Sequence, residues 1–116
     1  MYERSRHLIS CYIAGFTYYD GLDVINELKP GTPVVLKSEP ENPYDPNAVS
    51  IYYDDTKLGY VPKEKNGFLS DLLYFGHGNI VSAKISQYDP EAHPEDQLRI
   101  VVKIEDNRSK KTAGAK

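Results

Sequence analysis

Apolar residues recur in steps of two along several short stretches of this chain, and each stretch ends at proline, glycine or a polar cluster. Between Leu8 and Phe16, Ile9, Cys11 and Ile13 alternate with Ser10, Tyr12 and Ala14. Val49, Ile51 and Tyr53 alternate with Ser50 and Tyr52. Val81, Ala83 and Ile85 share one face of the stretch from Ile80 to Tyr88, and Leu98, Ile100, Val102 and Ile104 share one face of the last stretch. Period two is the signature of strands that turn one face to a core. Val34-Val35-Leu36 and Leu58-Gly59-Tyr60-Val61 are shorter runs that bring the expected strands to six. Helical spacing occurs in two places. Asp20 is a candidate cap for a segment carrying Val24, Ile25 and Leu28, which stops at Pro30-Gly31. Pro62 suits a first helical position, Phe68, Leu69, Leu72 and Leu73 follow at helical intervals, and Gly76-His77-Gly78 ends the run. Asp54-Asp55-Thr56-Lys57 is a polar turn between hairpin strands. The order β-α-β-β-β-α-β-β predicts a mainly β fold with two short helices, a six-stranded partly open barrel of OB-like or SH3-like kind.

The 116 residues suffice for one domain with one core. The 40% of apolar residues never collect into a stretch of about twenty, so no transmembrane helix is expected. The opening Met1-Tyr2-Glu3-Arg4-Ser5-Arg6-His7 lacks the apolar core of a signal peptide, and the expected compartment is the cytoplasm. Residues 1–105 are expected to form the domain and 106–116 a disordered basic tail. That tail carries Arg108, Lys110, Lys111 and Lys116 against Asp106 alone. The remaining ten basic and sixteen acidic residues give the body a formal charge of −6. Such a field opposes broad binding of phosphate backbone, so any nucleic-acid contact must be local and short.

Chemistry is easier to exclude than to assign. Cys11 has no second cysteine to pair with and reads as small core filler. His7, His77 and His93 are far apart and fit no metal-ligand spacing, so no metal or cofactor is expected. Gly76-His77-Gly78 follows a helix instead of opening one, which makes it a helix stop and not a phosphate cradle. No nucleophile lies beside a base in the sequence, and the acid pairs Asp54-Asp55 and Glu95-Asp96 sit in polar turns. A binding function is favoured over an enzyme.

One segment does look built for contact. In Asn42-Pro43-Tyr44-Asp45-Pro46-Asn47-Ala48, two prolines fix φ at about −65° and bias Asn42 and Asp45 toward extended backbone. Tyr44 and Asp45 therefore stand side by side on a stiff loop, while Asn42 and Asn47 are placed to brace it through side-chain to backbone hydrogen bonds. Asp45 is also a natural turn former whose carboxylate bonds nearby amides. Gly59 reads as a site of close backbone approach.

This loop, with Ile13-Ala14-Gly15-Phe16-Thr17-Tyr18-Tyr19, Leu28-Lys29-Pro30-Gly31 and Leu58-Gly59-Tyr60-Val61-Pro62-Lys63-Glu64 in the same order, resembles the HIRAN domain over roughly Ser10 to Glu105. HIRAN modules occur at the N-terminus of SWI/SNF-type DNA translocases and alone in bacterial and phage proteins. The resemblance implies an OB-like barrel that captures the 3′-hydroxyl end of single-stranded DNA, in the setting of DNA repair or replication-fork processing. It implies stacking of terminal bases on Tyr44 and Tyr18, a hydrogen bond from the 3′-OH to Asp45, and a phosphate contact at Lys63. Tyr19, Asn42 and Tyr60 complete the expected nucleic-acid site, and Tyr88 is a looser candidate for a closing aromatic. Thr17 stands where the DNA-end binders carry arginine, and Tyr60 where they carry histidine. The alternative is a protein-interaction or regulatory domain that keeps the fold without DNA binding.

Overall fold

The computed structural model describes residues 5–93 and 96–105, so the expected basic tail lies outside the described residues. Six strands form one antiparallel sheet: β1 (Ser5–Tyr12), β2 (Pro33–Ser38), β3 (Val49–Tyr53), β4 (Thr56–Tyr60), β5 (Val81–Tyr88) and β6 (Leu98–Glu105). Their spatial order is β1-β6-β5-β2-β3-β4. The sheet curls on itself, and register shifts between His7 and Ile9, Ile51 and Tyr52, and Ile85 and Gln87 supply bulges of the kind that raise local twist. The two outer strands are joined by the chain just beyond β1. Ala14 N–H donates to the Tyr60 carbonyl at 2.8 Å and Tyr60 N–H to the Ala14 carbonyl at 2.9 Å, a single bridge. The result is the partly open six-stranded barrel expected.

Gly59 makes that bridge sterically feasible. Its φ is +152°, and a methyl built there would overlap the Ala14 carbonyl oxygen and lie 2.7 Å from Ile13 Cγ2. The close approach expected of this glycine is therefore real, and the segment that approaches is the continuation of β1.

The alternating residues fill the barrel. Ile51, Leu58, Ile85, Ile100 and Val102 are fully buried, with Leu28 and Leu69 supplied by the connecting segments. Cys11 belongs to this core, and burial pushes its thiol up to about 11, which suits the filler role.

The helical segments differ from expectation in detail. Asp20–Glu27 is a 3-10 helix, not α, and Asp20 is its first residue instead of its cap. Gly21 and the β-branched pair Val24-Ile25 are weak α-formers, and i→i+3 bonds such as Leu28 N–H to the Ile25 carbonyl tighten the segment. The run after Pro62 is broken in two. A 3-10 turn covers Lys63–Lys65, and α1 (Gly67–Tyr74) begins after Asn66. Gly76, at φ +88°, ends α1 as expected, with its N–H bonded to the Leu73 carbonyl and His77 N–H to the Leu72 carbonyl. The β3–β4 turn is shorter than the four polar residues suggest. Tyr53 already pairs with Thr56, because Asp54 adopts φ +51°, a conformation aspartate tolerates. Among the described residues no helix is long and apolar enough to cross a membrane.

Candidate nucleic-acid interface

The loop between β2 and β3, the bridge at Ala14 and Tyr60, and the turn leading into α1 meet at one rim of the barrel. They enclose an open cleft of about 410 Å³. Tyr19, Asn42, Tyr44, Asp45, Tyr60 and Lys63 all line it. These are six of the seven residues expected at the site, drawn from three separate stretches of chain.

Asn42 organises the loop. Its Oδ1 accepts from the main-chain N–H groups of Tyr44 (2.8 Å) and Asp45 (3.1 Å), and its Nδ2 donates to Glu39 Oε1 at 3.1 Å. Main-chain bonds close the loop base, with Glu39 N–H to the Ala48 carbonyl and Ala48 N–H to the Asp45 carbonyl. Asn42 thus braces through its side chain as expected. Asn47 contributes instead its main-chain N–H, which donates to Asp45 Oδ1 at 2.9 Å. The second Asp45 oxygen, Oδ2, accepts from Asn66 Nδ2 at 2.9 Å. These bonds, with the charge of Lys63 behind them, hold the Asp45 carboxyl below the usual aspartate range. The side chain is an ionised, oriented acceptor. Tyr44, held on this frame, is 90% exposed and presents its ring to solvent and cleft.

A second network lies behind the aromatic wall. Glu39 Oε1 accepts from Tyr60 Oη at 2.8 Å, and Glu39 Oε2 pairs with Lys57 Nζ at 3.1 Å. Lys57 also donates to Tyr60 Oη, and its ammonium sits 4.3 Å from the Tyr60 ring centroid and 4.9 Å from that of Tyr19. The two rings meet edge to face at 5.8 Å. Partial burial works against the Glu39 charge, but bonds from Asn42, Tyr60 and Lys57 outweigh it and keep the carboxyl below its ordinary value. Burial, with Glu39 as an acceptor, raises the Tyr60 phenol, so the hydroxyl stays a neutral donor.

Tyr18 does not line the cleft. It is 79% exposed at the end of a 3-10 turn, Phe16–Tyr18, and the neighbouring Tyr19 faces the cleft instead. Strand alternation does not extend to this pair, because the chain leaves β1 at Tyr12. Tyr88 packs against the core from β5, and Thr17 is exposed. Glu39, Lys57 and Asn66 are the residues sequence reasoning left without a role. Glu39 and Asn42 stand three apart in one turn, which is a readable signal. Lys57 and Asn66 are brought in only by the hairpin and by the break before α1. Among the described residues no group of three or more His, Cys, Asp or Glu side chains could hold a metal ion.

A small rolled β domain with an aromatic, acceptor-bearing cleft at its rim is the class of protein these features define. The family model of the HIRAN domain matches residues 7–105, and the chain belongs to the HIRAN domain family, generally nucleic-acid-binding modules. Among solved structures the chain is similar to a protein from Lactobacillus plantarum at 23% identity, with a TM-score of 0.71 over 86% of this chain and 94% of that one. It is also similar to the HIRAN domain of human HLTF at 19% identity, with a TM-score of 0.64 over 94% of this chain and 86% of that one. At these identities the likeness establishes the fold. No curated protein sequence matches the chain.

Proposed function

We propose that this domain binds the 3′-hydroxyl end of a single nucleic-acid strand, DNA or a similar end, without catalysing a reaction, and that it serves DNA repair or replication-fork processing. The observation that carries the proposal is the meeting of Tyr19, Tyr44, Tyr60, Asp45 and Lys63 around one cleft. The exposed Tyr44 ring, beside the half-buried rings of Tyr19 and Tyr60, offers a stacking surface that tolerates any base, at about 1–3 kcal/mol per stacked base. A carboxylate offers about four lone-pair positions. Asp45 has one oxygen engaged by Asn47 and the other by Asn66, which leaves each oxygen a position for a terminal hydroxyl. A terminal phosphate would instead set a dianion against an ionised acid, so repulsion sharpens the choice of end. Lys63 is exposed and lines the cleft, which supports its role as the contact for the preceding phosphate.

Fluorescence anisotropy with short labelled oligonucleotides tests the reading. Binding is expected for a free 3′-OH, to be abolished by a 3′-phosphate, and to fall about tenfold or more in Tyr44→Ala, the worth of one stack. Equal affinity for 3′- and 5′-exposed ends would refute it. Co-purification of a protein partner, with no oligonucleotide binding at moderate salt, would favour an interaction domain. The −6 body is the feature that keeps that second reading open.

A further inference from the structure

Asn66 is 4% exposed, yet it lines the cleft beside Asp45. Its orientation is fixed by chemistry. A carboxylate only accepts, so the atom facing Asp45 Oδ2 must be the Nδ2 donor, and Oδ1 points elsewhere. Among the described residues nothing donates to that Oδ1. A nearly buried carbonyl with no donor is costly unless a ligand or water supplies one. The helix-start position does not explain the side chain either, since Asn66 makes no side-chain capping bond to α1.

Two groups therefore line the cleft side by side, the Asp45 carboxylate and Asn66, whose carbonyl has no donor among the described residues. One terminal hydroxyl supplies only one donor. The 2′,3′-cis-diol of a ribonucleotide end supplies two on adjacent carbons. The 2′-hydroxyl is the group by which a protein distinguishes RNA from DNA at a given site. Resting on the end-reading function proposed above, we infer that the cleft prefers a strand whose last residue is a ribonucleotide, with Asp45 and Asn66 sharing the two hydroxyls.

The test uses the whole chain and oligonucleotides that differ only in the terminal sugar: 2′-deoxy, ribo, 2′-O-methyl and 3′-phosphorylated. The ribo end is expected to bind about two- to tenfold tighter than the deoxy end, the worth of one added neutral hydrogen bond. The 2′-O-methyl end, which keeps the oxygen but loses the donor, should lose that advantage. In Asn66→Ala the ribo and deoxy ends should converge while both still outbind the 3′-phosphate. Equal binding of ribo and deoxy ends by the unmodified protein overturns this inference alone, whether or not the variant folds. Binding to none of the four overturns the end-reading function with it.

Discussion

Gly59 ties the site to the fold at the level of a single residue. Its neighbour Tyr60 carries a cleft-lining ring on one side and the bridge to Ala14 on the other, and the bridge exists because position 59 has no side chain. Gly59→Ala is expected to destabilise the domain by about 2–4 kcal/mol, from a positive φ that L residues rarely adopt together with overlap against a backbone oxygen. Urea unfolding measures this. A loss under about 0.5 kcal/mol would mean that β4 shifts freely and that the bridge does not hold the rim. By contrast, Tyr44 touches little and its removal should leave stability unchanged while binding falls. Gly59 was legible in the sequence because a glycine inside a strand run has few explanations. Asn66 was not, since its role depends on Asp45, twenty-one residues away.

At the level of the element, the Glu39–Ala48 loop is held by two ionised acids that both do internal structural work. The Asp45 and Glu39 carboxyls are each lower in the folded loop than in an unfolded chain. Groups shifted this way contribute stability that is present above the ordinary carboxylate pKa and is lost as pH falls through the lowered folded value. The loop should therefore stay ordered through mildly acidic pH and loosen only below the ordinary carboxylate range. The main-chain amides of Tyr44, Asp45 and Asn47 would report this by NMR, moving together at low pH. Loss of order near pH 6 would show that these bonds do not hold the loop. Glu39→Gln removes the charge facing Lys57 and is expected to weaken oligonucleotide binding by no more than about fivefold, since a partly exposed pair contributes up to about 1 kcal/mol. The stiffness of this loop was legible from its prolines and Asn42. Its attachment to Lys57 and Tyr60 was not, because that depends on how the β3–β4 hairpin lies beneath it.

Across the whole molecule, local pattern and global charge act at different ranges. Four of the six strands follow from period two, and Val49, Ile51, Leu98, Ile100 and Val102 are buried where alternation puts them, while Ser50 on the opposite face of β3 is buried as well. The sheet order is a long-range consequence that local pattern does not contain, and the rim where the cleft forms is indicated in the sequence only by the family motifs around Tyr44 and Tyr60. The acidic body then limits how the cleft can hold a nucleic acid. Binding to a single strand weakens with salt at a slope of about −0.7 per phosphate neutralised. Lys63 is the lysine that lines the cleft, so a plot of log affinity against log salt should have a slope between about −0.7 and −1.5. Lys63→Ala should move that slope toward zero and weaken all base sequences alike. Deleting residues 106–116 should leave the slope unchanged. A slope as steep as about −3 that collapses on the deletion would mean that the basic tail carries the strand and the cleft does not.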